Sequence, residues 1–501
     1  MRFFALFRVP YRYAHLLFLI FLAFGISQNV VIADQDTELR LQQDIERSAR
    51  QREQELLRDE RAKDEALPNL IINGEEYQVR RNRNDLGRAL YVALRSRNWS
   101  AAVRFLDAYR ELENPDPILL HYAEGKLARL RGDLDRAEQE FRSLLALNDT
   151  FLPGRLELAR VLFENQKNRE AETRFRDILA QVEGVPDQRK TAGVRSTLEN
   201  FLQALKERRS WQGRIAVGPG YSDNVNQSSE SETCLIWFAE GLCYVSRTAP
   251  EAISTETLTY EMSLEKDVFL PGHHGLYFRG LAYGDRYRDY SIYNQDTINA
   301  SAGYRFRDVN DVYSLAPSFE HARYGNDGLY DAWGARAEWM HYLSPRTAFK
   351  FEASHKRMRY REVYSRFDGD MNNLYATAWH RLNGGWTLFG GLDGVDRNTE
   401  EALSSYEQYG LRLGVSRSFP LVESTMFASL REKHYDAYSA LLGERREDRE
   451  RRYIAMFSFP RLSVAGLVPS LNLEHTRVRS NVDWLYSYEE NAASLKFEWR
   501  F

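Results

Sequence analysis

The sequence predicts an α+β, multidomain chain in two parts: a run of N-terminal helical repeats, then a fourteen-stranded, transmembrane antiparallel β-barrel. Three observations carry this. From Trp211 to Phe501 apolar and polar residues alternate with a period of two over unusually long runs. The chain closes on an aromatic residue, Phe501. Between residues 83 and 182 a 34-residue period replaces the alternation.

The barrel reading rests on which residues share a face. Successive side chains of a strand point to opposite faces. Leu495, Phe497, Trp499 and Phe501 of the closing strand therefore share one face, and Ser494, Lys496, Glu498 and Arg500 the other. The split recurs upstream, where Leu258, Tyr260, Met262 and Leu264 oppose Glu261, Ser263 and Glu265, and Tyr409, Leu411 and Leu413 oppose Gln408 and Arg412. A soluble β-sandwich alternates too. These runs, however, exceed the usual strand of about 5–6 residues, and so large a sheet with one apolar face aggregates unless it closes.

Turn signals divide the region into fourteen runs, the first near 211–221, the next near 254–270, the twelfth near 447–461 and the last near 487–501. Alternate connections are short, as at Pro271-Gly272, Val309-Asn310 and Asn383-Gly384-Gly385, and the intervening ones read as longer and more charged. Short periplasmic turns, long extracellular loops and an even strand count describe an outer-membrane barrel. Both barrel ends then face the periplasm, and everything before Trp211 lies there.

Residues 1–33 read as a secretory signal, with Arg2, Arg8 and Arg12 ahead of the apolar stretch Leu16–Ile26. That stretch is too short for a spanning helix. Residues 34–82 are a charge-dense linker or helical tether, 83–210 a periplasmic helical domain, and 211–501 the barrel. A mean hydropathy of −0.56 excludes a helical membrane protein while fitting a barrel whose polar lumen offsets its lipid-facing wall. With a net charge of −4 the chain has no basic footprint for nucleic acid.

In the helical domain Gly125, Ala137 and Phe141 recur as Ala159, Ala171 and Phe175, and a weaker first copy holds Trp99, Ala102 and Leu106. The stretch Arg131 to Phe141 matches the turn and second helix of a tetratricopeptide repeat. Its small residues let paired helices approach, so these positions are core. Binding candidates lie on the concave face, where the register puts Tyr91, Arg95, Tyr122, Lys126, Arg129 and Arg160. A basic, aromatic concavity suits an extended or acidic segment of a client protein. A merely solvated charged face accounts for the same residues.

Cys234 and Cys243, the two cysteines of the chain, fall in the first long loop. In an oxidising compartment they are expected to form a disulfide, since C-x₈-C without histidine is a poor metal pattern. We find no catalytic, metal or cofactor motif: no nucleophile elbow, zinc helix or phosphate loop. Ser354 and His355 are adjacent on one strand and so face opposite ways. His273 and His274 read as solvated turn residues, and Asp393 with Asp396 lacks the ligand count of a calcium loop. The chain reads as a non-enzyme.

A signal peptide, a short tetratricopeptide domain and a fourteen-stranded barrel resemble the surface lipoprotein assembly modulator (Slam) family. The stretch Gly218-Pro219-Gly220-Tyr221-Ser222-Asp223-Asn224-Val225-Asn226-Gln227 is similar to that family's first strand, and the terminal Phe501 fits its barrels. The resemblance implies an outer-membrane translocon that carries client surface lipoproteins, or related secreted haem- or metal-acquisition proteins, to the cell surface. It implies no catalytic residues. Expected partners are the client, outer-membrane lipid, periplasmic chaperones and the barrel-assembly machinery. Two other architectures use such parts: a polysaccharide exporter, and a porin whose repeats organise a periplasmic partner.

Overall fold

The computed structural model describes residues 79–184, 188–237 and 242–501. The signal and most of the tether expected before residue 83 lie outside these. Among the described residues seven helices come first: α1 Arg83–Arg95, α2 Trp99–Arg110, α3 Pro117–Leu130, α4 Leu134–Leu147, α5 Leu152–Glu164, α6 Asn168–Glu183 and α7 Gln188–Arg209. Side-chain caps start several of them. Asn82, Asn98, Asp116 and Asp133 each accept from a backbone N–H of the first turn.

The sequence period has a backbone counterpart. α1, α3 and α5 each end on a left-handed residue, Arg97, Gly132 and Gln166. The next N–H then reaches back to the helix, Asn98 to Ala93, Asp133 to Ala128 and Lys167 to Leu162. This C-terminal motif satisfies the orphan carbonyls and reverses the chain into the partner helix. Ala102, Ala137, Phe141, Ala159, Ala171 and Phe175 are buried between the helices. A Cβ on Gly125 would meet the Phe141 ring at 2.8 Å, so only glycine lets α3 and α4 approach so closely.

The barrel has fourteen strands, closed and antiparallel throughout. β1 is Gln212–Ser222. A separate hairpin, β2 Glu232–Trp237 and β3 Cys243–Thr248, interrupts the ring order in the first loop. The ring continues with β4 Thr255–Phe269, β5 His274–Tyr287, β6 Gln295–Arg307, β7 Asp311–Tyr324, β8 Asp327–Ser344, β9 Thr347–Tyr360 and β10 Gly369–Arg381. It closes with β11 Trp386–Thr399, β12 Tyr406–Ser418, β13 Glu423–Ser439, β14 Glu444–Ser458, β15 Leu467–Ser480 and β16 Tyr488–Arg500, the last paired with β1. The expectation that every intervening connection is long fails at β7–β8. There Gly325 and Asn326, both left-handed (φ 60° and 73°), make a two-residue turn that matches strand twist.

The outward face is apolar as expected: Leu495, Phe497 and Trp499 are 44, 42 and 48 % exposed on the closing strand, while Lys496 and Glu498 are buried inside. At the short-turn end an outward girdle of rings includes Tyr313 stacked on Trp339 and Trp339 on Phe351, at 6.1 and 5.4 Å between centroids. Such girdles mark a membrane interface.

Candidate functional site

Three regions can meet a client: the helical concavity, its junction with the barrel, and the barrel lumen.

Of the six residues predicted for the concavity the structure gathers Tyr122, Lys126, Arg129 and Arg160, with Tyr91 near the Tyr122 hydroxyl and Arg95 exposed on α1. Lys126 and Arg129 on α3 and Arg160 on α5 converge on one carboxylate, Glu157 of α5, at 3.0, 3.2 and 3.3 Å. Arg129 also forks onto Glu164 at 2.6 Å. Glu157 is buried, which alone would raise its pKa, but the charges of Lys126, Arg160 and Arg129 and the Lys126 hydrogen bond hold it down at about 2. Tyr122 packs edge-on against Phe141 and Phe151, and burial, then the Glu157 charge, raises its hydroxyl pKa. The cations read as a basic surface are thus paired within the domain. Tyr91 and Arg95 on α1 stay exposed. Glu157 was not a candidate in the sequence; its signal was Arg160 three residues on, within a helix otherwise buried on that side.

The helical domain sits on the short-turn mouth of the barrel. α7 runs into β1, where the Gln212 side chain donates to the Glu207 carbonyl at 2.9 Å. Glu170 of α6 accepts from the Gly272 N–H at 2.7 Å, in the β4–β5 turn. His273 and His274 flank this contact, hydrogen-bonded to the Arg307 carbonyl and the Tyr304 hydroxyl, with His274 exposed to solvent.

Inside the barrel two layers of buried side chains line the lumen. The layer toward the short-turn mouth is ionic. Arg279 lies 3.0 Å from Glu265 and 2.6 Å from Glu338, Arg305 lies 2.6 Å from both Glu265 and Asp267, and Arg336 bridges Glu338 and Glu352 at 2.5 Å. The layer toward the long-loop end is aromatic, with Tyr330, Tyr360, Phe367, Met371, Tyr406 and Tyr435 buried in one cluster. The Arg279–Glu265 and Arg336–Glu352 pairs join neighbouring strands, and Arg279 on β5 reaches Glu338 on the non-adjacent β8. Ser354 and His355 do face opposite ways, Ser354 accepting from Asn373 inside and His355 bonding Asn372 outside. Asp393 pairs with Arg412 at 2.7 Å.

At the long-loop end the first loop packs against the connection before β16. Cys234 and Cys243 are disulfide-bonded, with Cα atoms 5.7 Å apart, and tie β2 to β3. Ser229 and Ser231 donate to the Trp484 carbonyl at 2.7 and 2.6 Å, in the short helix α8 (Asp483–Tyr486) before β16. The hairpin was invisible in the sequence because neither strand carries a clean alternation.

Comparison with known proteins follows this architecture. Residues 211–501 match the family model "Surface lipoprotein assembly modifier", and residues 72–175 match "Surface lipoprotein assembly modifier, N-terminal TPR repeats". The chain is 41 % identical to the hemophilin secretion modulator of Acinetobacter baumannii over 95 % of its own length and 98 % of that protein's. It is 27 % identical to surface lipoprotein assembly modifier 1 of Neisseria meningitidis serogroup B, over 86 % of each chain. With surface lipoprotein assembly modifier 2 of Haemophilus influenzae it shares 26 % identity, over 86 % of this chain and 88 % of the other.

Proposed function

Because the chain belongs to the surface lipoprotein assembly modifier family, we propose that it is the outer-membrane device that delivers one or a few client proteins to the cell surface. The barrel spans the outer membrane with the helical repeats on its periplasmic side. The family is one of transport and assembly, and the role proposed for this chain is non-catalytic. The client is a surface lipoprotein or, following the relative at 41 % identity, a secreted protein of the hemophilin kind.

One observation carries the mechanism: a repeat domain is fastened to the periplasmic mouth of a barrel whose inner wall carries buried ion pairs and a buried aromatic cluster. Client captured by the repeats is held at the β4–β5 turn, beside the ionic layer. Passage then requires displacing buried ion pairs and the aromatic layer. Breaking a buried pair by removing one partner costs roughly 3–5 kcal/mol, so the closed state resists leakage while a client that supplies new partners lowers the barrier. No nucleotide-binding motif occurs in the sequence, and client binding and folding outside supply the direction.

Deleting the gene tests this. The client should still be made and processed but lose surface labelling and accumulate in the periplasm. Restoring the full chain should restore display, and residues 34–210 alone should bind client without displaying it. Loss of surface glycan with normal surface proteins would instead identify a polysaccharide exporter. If only small-solute uptake changed, the chain would be a porin.

A further inference from the structure

The outer wall near the β1–β16 seam carries a feature that export does not explain. On β14 and β15 the outward residues just beyond the apolar band are arginines, with Glu447 further out on β14. The register sets Arg451 opposite Arg477 and Arg449 opposite Arg479. Like charges directly opposite on neighbouring strands destabilise a sheet. Arg449 reaches Glu432 at 3.1 Å and Arg477 reaches Glu489 at 2.8 Å. Arg451 and Arg479 are exposed, and no acidic partner reaches either among the described residues. Among the described residues, four outward arginines with only two carboxylates to pair them leave Arg451 and Arg479 open to an anion.

Directly below lies an apolar hollow. Tyr453 and His475 stack at 6.1 Å as its rim. Its floor is Ala428, Ala455 and Ala493, and the larger Leu413, Met426 and Leu473 alternate with them across the register, Met426 opposite Ala455, Ala455 opposite Leu473, Leu473 opposite Ala493. Small outward residues between large ones dent the wall, leaving about 870 Å³. This lies within the roughly 300–1,000 Å³ of ordinary ligand sites. Along β15 the order from the hollow outward is Leu473, His475, Arg477, Arg479, which is apolar, interfacial and then cationic.

We propose that this face binds a phosphorylated, multiply acylated glycolipid of the outer leaflet. Its acyl chains lie in the alanine-floored hollow and its phosphates on Arg451 and Arg479, the two arginines of the cluster without a carboxylate among the described residues. Guanidinium forks match phosphate oxygens bidentately, which lysine cannot do. At the long-loop end an outward arginine is disfavoured by only about 0–1 kcal/mol, so a single phosphate contact outweighs it. An acylated client anchor would use the hollow and leave the arginines idle, which is why the glycolipid is the occupant argued here.

The test uses full-length protein in detergent, checked for a folded barrel by heat-modifiability and titrated by native mass spectrometry. The probes are lipid A, dephosphorylated lipid A and a synthetic triacylated lipopeptide. Lipid A should bind wild type at least tenfold more tightly than its dephosphorylated form. Arg451→Glu with Arg479→Glu should abolish that preference, and Ala455→Trp, which fills the hollow, should weaken lipid A at least tenfold. Equal binding of both lipid A forms by wild type would overturn the proposal without reference to any variant. So would lipopeptide displacing lipid A at equal concentration, which would assign the hollow to an acylated client.

Discussion

Asn224, just past the first barrel strand, donates its side-chain amide to the Glu489 carbonyl on the last strand at 2.8 Å. The same amide also reaches the Ser228 carbonyl, and its oxygen accepts from the Ser228 N–H. Asp223 beside it accepts from the Asn491 N–H at 2.7 Å. At the opposite end of the seam Gly213 and Phe501 exchange both backbone bonds, at 3.0 and 3.1 Å. Between these ends the β1–β16 register skips Gly218 and Pro219, since proline has no N–H to give. The β6–β7 ladder skips in the same way beside Pro317. The Asp223-Asn224 pair that carries the family resemblance is thus a clasp on the barrel seam.

Removing the clasp is the first prediction. Asn224→Ala leaves the buried Ser228 N–H and the Glu489 carbonyl without partners, at about 1–3 kcal/mol for such groups. The temperature at which the folded band converts in heat-modifiability gels should fall. An unchanged conversion temperature would show that the seam closes without it.

Gly218 is the tightest point of the same seam. A Cβ there would lie 1.9 Å from the Leu495 carbonyl oxygen, whereas at Gly394 the nearest atom is 4.0 Å away. Gly218→Ala should sharply reduce the yield of folded barrel in the outer-membrane fraction, and Gly394→Ala should not. Equal yields would refute the close-contact account.

Glu157→Gln should destabilise the helical domain by about 3 kcal/mol at neutral pH, from a shift of over two units at 1.36 kcal/mol each. The carboxyl is depressed in the folded state. Its contribution is therefore full above its unfolded value of about 4.3 and fades as pH falls toward about 2. Protease protection of residues 79–209 in the full-length protein should separate wild type from variant at pH 7 and converge in strong acid. A gap that persists there would point to packing rather than charge.

Client capture should depend on Tyr91 and Arg95, the exposed members of the concave face. Tyr91→Ala with Arg95→Glu should weaken capture severalfold while the domain keeps its protease protection. Charge reversal at Lys126 and Arg129 is a poorer test, because it breaks the Glu157 and Glu164 pairs and unfolds the surface being tested. Undiminished capture by the Tyr91 and Arg95 variant would make this face a solvated one.

Much of the architecture was local and so legible in the chain. The alternation places the second barrel strand near 254–270, and it runs Thr255–Phe269; the twelfth is placed near 447–461 and runs Glu444–Ser458. Which face meets lipid follows from a period of two, and the repeat core from small residues at a 34-residue spacing, because each depends only on neighbours in sequence. Other features needed the closed ring and the packed helices. Glu157 gathers Lys126 and Arg129 from about thirty residues away, and Arg451 stands opposite Arg477 only once the strand register is set. The clasp joins Asn224 to a residue 265 positions on. A charge reads the same in sequence whether it is solvated, paired or stacked against its like. Tertiary contact alone decides which, because Coulomb interactions depend on distance in space and on how much water remains between the groups.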